Sequence, residues 1–160
     1  MTTPANATRA DSRFLDDFAV GDRFVSRGAT LTEAQILDFA WQWDPQPFHL
    51  DCEAARDWNY GGLIASGFQT LLVAFRLFYQ ENVWNAASLG SPGMDELRWL
   101  KPVRPGDTLH CEAEVLEVRP SSSKPDRGIL RMAYAVLNQQ GETVMTFSAP
   151  HMLRRRPEAG

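Results

Sequence analysis

The 160-residue chain has little of what metal or redox chemistry needs: two cysteines and three histidines. Cys52 and Cys111 lack the CxxC spacing of a zinc ribbon and are too few for a disulfide framework, so reduced thiols in a cytoplasmic protein are expected. The run His49-Leu50-Asp51-Cys52 is too compressed for a zinc site, and no metal is expected. An excess of basic charge is also lacking: the net charge of −4 leaves no footprint for nucleic acid. Long apolar runs are missing as well. None approaches the roughly 20 residues that span a bilayer, and the most apolar one is broken by Gln69, Thr70 and Arg76, so no membrane association is expected. Met1 to Arg13 has no apolar core of signal-peptide length, which argues against secretion. There is no internal repeat, and the one low-complexity patch, Ser121 to Asp126, suits an exposed loop.

What is present fits one soluble globular domain, with 44% hydrophobic and 22% charged residues. Residues 1–13 read as a flexible arm, 14–154 as the domain and 155–160 as a tail. The first helix starts at Thr32, where Thr32 and Gln35 fit a capping box and Leu31 and Ile36 a hydrophobic staple. Ile36, Leu37, Phe39, Ala40 and Trp43 recur at helical spacing until Pro45 stops the run, since Asp44 before it is pushed out of the helical region. A short helix over Cys52 to Trp58 has Asp51 as its N-cap.

After the Gly61-Gly62 turn, Gly67 to Val83 reads as a helix apolar on nearly every face, and such a helix has to be surrounded. Four strand-like runs follow to do so: 94–100, 108–119, 128–137 and 142–153. In the second, Leu109, Cys111, Ala113 and Val115 alternate with His110, Glu112, Glu114 and Leu116. Their joints are turns, Arg104-Pro105-Gly106-Asp107 and Gln139-Gln140-Gly141. Short turns favour antiparallel pairing, so the expected fold class is α+β, an antiparallel sheet wrapped around a long central helix.

Two segments carry chemistry. In Asp44-Pro45-Gln46-Pro47-Phe48-His49, two prolines stiffen a loop that presents an acid and an imidazole, a pair suited to proton transfer through one water. On spacing alone a role in capping turns is the plainer reading of the pair. In Gly61-Gly62-Leu63-Ile64-Ala65-Ser66-Gly67, the chain enters the central helix. Free amides at a helix N-terminus carry partial positive charge, and a glycine lets a ligand approach them. That Ser66 simply caps the helix and the glycines make a turn is an equal reading. The strand histidines His110 and His151 are expected to be surface or satisfied residues. Trp41, Trp43, Trp58 and Tyr60 are expected in the core and pocket lining.

In this order the two segments resemble the MaoC-like dehydratase family, which includes the R-specific enoyl-CoA hydratases and has the hot-dog fold. The family carries Asp-x-Asn-Pro-(apolar)-His, then an apolar-(small or His)-Gly segment opening the central helix. Asp44 to His49 match the first, and Ile64-Ala65-Ser66-Gly67 the second. Leu100 to Asp107 resembles the family's strand-to-strand joint, and the resemblance spans roughly residues 14–154.

The resemblance implies that Asp44 and His49 hold a water and that the Gly67 amide receives the thioester carbonyl, with which of the pair is acid and which base left open. Phe48, Ile64 and Ser66 would line the substrate site, and Arg98, Lys101 and Arg104 could meet the phosphates of coenzyme A. No cofactor is implied beyond the coenzyme A of the substrate, and a homodimer is expected. Three departures stand out. Gln46 replaces the usual Asn, Ser66 a frequent His, and Phe75 a serine that in some hydratases supports the catalytic acid. An acyl-CoA thioesterase and a non-catalytic acyl-thioester-binding protein therefore remain alternatives. Against the first, Gly67 to Phe78 holds no carboxylate; the second draws on Phe75.

Overall fold

The computed structural model describes residues 13–157. The expected arm, apart from Arg13, and residues 158–160 of the tail lie outside the described residues. The helices are α1 (Glu33–Trp43), α2 (Pro47–Leu50), α3 (Cys52–Arg56) and α4 (Gly67–Tyr79). The strands are β1 (Arg23–Val25), β2 (Ala29–Thr30), β3 (Asp95–Trp99), β4 (Thr108–Pro120), β5 (Arg127–Leu137) and β6 (Thr143–Arg154). They form one antiparallel sheet in the order β1-β4-β5-β6-β3, with β2 also paired to β4. The expected α+β arrangement is present.

Local chemistry explains the helix boundaries near the site. Thr32 and Gln35 close the expected capping box, the Thr32 hydroxyl accepting from the Gln35 amide at 3.2 Å while Gln35 Oε1 accepts from the Thr32 amide at 2.9 Å. Pro45 ends α1 at Trp43 and leaves Asp44 as its C-cap at φ −150°, ψ 71°. Pro47, at the first helical position, then starts the single turn α2, where its missing N–H costs nothing. Asp51 caps α3 by accepting from the Glu53 and Ala54 amides, and α3 is shorter than the sequence suggests.

The sheet supplies the core. Along β4, Leu109, Cys111, Ala113 and Val115 are buried while Glu112 and Leu116 are exposed, as the alternation predicts. From β5, Leu130, Met132, Tyr134 and Val136 face the same core. Helix α4 lays Ala74, Leu77 and Phe78 against it, with Phe78 edge-on to Tyr134 at 5.3 Å.

Three expectations need correction. Helix α4 is not enclosed on every face: Phe68, Leu72, Phe75 and Tyr79, spaced 4, 3 and 4 residues apart, form an exposed stripe. It also ends at Tyr79, short of Val83, and Asn82 turns into the left-handed region at φ 53°. Finally, Trp41 and Trp43 are exposed on α1 and take no part in the core. The start of the tail is tied down, because Arg155 pairs with Asp16 and Arg156 with Asp17.

Candidate active site

Asp44 and His49 converge because α1 ends, and α2 begins, within six residues. Asp44 Oδ2 lies 3.4 Å from His49 Nε2, and both side chains are largely buried. Two donors hold the carboxylate: the Ser66 hydroxyl reaches Oδ2 at 2.6 Å and the Gln46 amide reaches Oδ1 at 2.8 Å. Burial alone would raise the Asp44 pKa. The hydrogen bonds from Ser66 and Gln46, with His49 beside them, outweigh it and hold the carboxyl below its ordinary value.

His49 sits on the helical turn α2 rather than on an extended loop. Its Nδ1 is 2.8 Å from the Ile64 carbonyl oxygen, which can only accept, so in the neutral imidazole the proton is on Nδ1. Nε2 is then an acceptor facing Asp44. Two acceptors 3.4 Å apart cannot bond to each other, but they can take the two protons of a single water.

The third component is the start of α4. Ser66, fully buried, is its N-cap and accepts from the Phe68 amide at 3.2 Å. Gly67 is the first helical residue, so its amide has no intrahelical acceptor and carries the positive end of the helix dipole. A cavity of about 430 Å³ is lined by Asp44, His49, Gly67, Gln46, Phe48 and Ile64, and further by Tyr60, Trp99 and Lys101. One open space thus holds the acid, the imidazole and a free amide.

The remaining sequence-derived residues divide. Phe48 packs edge-on to His49 at 4.5 Å and against Trp58 and Tyr60. Lys101 lines the cavity and pairs with Glu142. Arg98 and Arg104 do not line it: Arg98 donates to the Leu97 carbonyl and Arg104 to that of Tyr60. His110 pairs with Glu112, and His151 Nε2 is hydrogen-bonded to the Tyr134 hydroxyl at 2.6 Å, so neither joins the site. Among the described residues no group of three or more His, Cys, Asp or Glu side chains could hold a metal.

The family model described as a MaoC like domain matches residues 17–131. The chain belongs to the MaoC-like domain family. Its sheet curved about α4 is the hot-dog fold. It is 45% identical to a crystal structure of a MaoC-like dehydratase from Rhodospirillum rubrum, with a TM-score of 0.83 over 91% of this chain and 99% of that one. It is 26% identical to the R-hydratase PhaJ1 of Pseudomonas aeruginosa, with a TM-score of 0.73 over 92% of this chain and 91% of that one. Among sequences, it is 31% identical to the uncharacterized protein YdeM of Bacillus subtilis, over 88% of this chain and 99% of that one. It is also 37% identical to mesaconyl-CoA hydratase of Cereibacter sphaeroides, over 55% of this chain but 26% of that one.

This MaoC-like chain resolves its own departures. Phe75, in place of the supporting serine, is half-exposed, stacks on Tyr79 at 5.6 Å and lines a different cavity of about 260 Å³. Asp44 is nonetheless supported, by Ser66 and Gln46, the other two departures from the family pattern. The sequence reading did not single out Trp99, which lies against Gly67. A Cβ on Gly67 would fall 2.5 Å from Trp99 Nε1.

Proposed function

We propose that the protein is an enoyl-thioester hydratase, adding water across the 2,3 double bond of an enoyl-CoA to give the (R)-3-hydroxyacyl-CoA. The observation that carries the reading is the pair of acceptors, Asp44 Oδ2 and His49 Nε2, 3.4 Å apart in the cavity that holds the free Gly67 amide. A water donating to both keeps an oxygen lone pair free to attack C3. The pair takes the water's proton as the C–O bond forms, and the electrons of the double bond move toward the thioester oxygen. The Gly67 amide stabilises the charge collecting there, an effect worth roughly 2.7–4 kcal/mol for one such donor. The proton returns from the pair to C2 on the same face, and no other cofactor is needed.

The sign of the Asp44 shift suits this role, because an ionised carboxylate can accept from water at neutral pH. The R configuration draws on the similarity to an R-hydratase, and the coenzyme A thioester on that to mesaconyl-CoA hydratase. Lys101 at the cavity wall suits an anionic carrier. Loss of the enoyl-thioester absorbance on adding crotonyl-CoA is the expected result. Thiol release from a saturated acyl-CoA without that loss would point to a thioesterase instead.

Two further features of the reading concern its setting. A homodimer would cover the exposed stripe of α4 and the free edge of β3, which among the described residues pairs only with β6. Sedimentation at twice the 18.0 kDa chain mass is expected, and a stable monomer at micromolar concentration would remove the dimer. Cys52 and Cys111 are unpaired, as a reducing cytoplasm would keep them. No helix among the described residues is long and apolar enough to cross a membrane.

A further inference from the structure

We propose that Trp99 is a second hydrogen-bond donor to the substrate carbonyl, its indole N–H acting beside the Gly67 amide. The inference rests on the hydratase reading above and deepens it. Residue 67 is glycine for a spatial reason. Its φ is not in the left-handed region, so the backbone conformation does not require glycine. The space does: a Cβ there would fall inside the Trp99 indole, 2.5 Å from Nε1. With a Cα–Cβ bond of about 1.5 Å, Nε1 lies no more than about 4 Å from the Gly67 Cα. The missing side chain makes a seat for the indole on the first residue of α4.

The indole is held there from its own side. Trp99 ends β3 and pairs with Met145 of β6, while the next amide, that of Leu100, donates to the Val144 carbonyl. Phe68 meets the ring edge-on at 5.8 Å. The N–H has no acceptor among the described residues, and Trp99 lines the cavity that holds Asp44 and His49. Trp99 is 49% exposed, so no burial penalty demands an internal partner.

The chemistry calls for a donor at this place. A thioester carbonyl oxygen has two lone pairs, and the enolate-like oxygen formed on attack at C3 is the strongest acceptor in the reaction. The Gly67 amide answers one lone pair and the adjacent indole N–H the other. An indole is a donor only and does not titrate in the working range. Its contribution is therefore to charge stabilisation, separate from the proton transfers of Asp44 and His49.

Trp99→Phe keeps an aromatic wall and removes only the N–H, and it separates this role from simple packing. The expected result with crotonyl-CoA is a fall in kcat/KM of about tenfold or more with the pH profile unchanged. In the slowed Asp44→Asn background, the carbonyl stretch of bound crotonyl-CoA is expected to move back toward its free value when Trp99 becomes Phe. Wild-type kcat/KM and an unmoved stretch in the Phe variant would overturn the proposal. A protein that binds crotonyl-CoA without hydrating it sinks the hydratase reading alone, because the stretch still reports whether Trp99 donates. A protein that binds none overturns both.

Discussion

The Ser66 hydroxyl donates to Asp44 Oδ2 over 2.6 Å, while its oxygen accepts from the Phe68 amide over 3.2 Å. One side chain therefore caps α4 and supports the carboxylate that ends α1, 22 residues earlier in the chain. The two elements are locked at the wall of the cavity, which places Asp44 relative to the Gly67 amide one residue beyond the cap. A serine does this because its hydroxyl both donates and accepts.

Ser66→Ala removes both bonds. The lost cap is expected to lower stability by about 1 kcal/mol. Asp44 loses a donor to its charged form, so its pKa rises and the acidic limb of the kcat/KM profile moves to higher pH. The stability linkage has the same origin. A depressed folded-state pKa contributes stability present above the unfolded value and lost as pH falls through the folded one, and that contribution shrinks in the variant. A pH–rate profile with denaturant titrations at several pH values checks both. An unmoved acidic limb would show that the Ser66 bond does not govern Asp44.

Asp44→Asn and His49→Ala are each expected to lose about 10²–10⁴-fold in hydration rate. They part on stability. The sequence suggests that neither residue packs, but His49 is 5% exposed and its Nδ1–H satisfies the Ile64 carbonyl. Truncation leaves that carbonyl and a small void, and is expected to cost about 1–3 kcal/mol. Activity assays with thermal melts check this. Near-wild-type turnover in either variant would remove the pair from the mechanism.

The legible part of this protein was whatever rests on period and local chemistry. The alternation of Leu109 to Leu116 and the Thr32–Gln35 box follow from backbone geometry alone, and so does the Pro45 stop. Strands β1 and β2 were not legible, because three and two residues carry too little pattern and exist only through pairing with β4. The turn α2 was hidden for a related reason. Two prolines suggest extended chain, but Pro47 at a first helical position starts a turn equally well. At the site, Asp44, His49 and Gly67 were visible as motifs. The support from Gln46 and Ser66 was not, since the first depends on how the chain bends between α1 and α2 and the second on a contact 22 residues away. Trp99 was silent because it lies 32 residues from the glycine it touches.

His151 gives the fold its own acid sensitivity. Burial lowers its pKa from 6.5 to about 4, so it is neutral in the fold, with Nε2 hydrogen-bonded to the Tyr134 hydroxyl. Because the folded pKa is depressed, stability is fully present above 6.5 and falls as pH drops toward about 4, where the loss levels off. The loss amounts to about 3 kcal/mol at most, at about 1.36 kcal/mol for each pKa unit. His151→Gln keeps a polar partner for Tyr134 and does not titrate. Its unfolding free energy is expected to be flatter than that of the wild type across this window. Equal slopes would show that His151 is not the group responsible.

Gly67→Ala tests the contact between α4 and β3 by the sign of its effect. In the native background the new Cβ meets the Trp99 indole, which has to move. The ring is half-exposed, so it can move, but it loses its seat against the helix and its edge contact with Phe68. A net destabilisation is expected, together with loss of hydration, because both donors to the carbonyl are disturbed. In a Trp99→Ala background the clash is gone. The same substitution then replaces a flexible glycine at a helical position by the best helix former, and is expected to stabilise by up to about 1 kcal/mol. The coupling in this double-mutant cycle should therefore be favourable by more than about 0.5 kcal/mol, beyond what independent sites show. Unfolding titrations of the four proteins decide it. Additive effects would mean that the indole does not rest on Gly67 in solution, and the second donor would lose its place along with it.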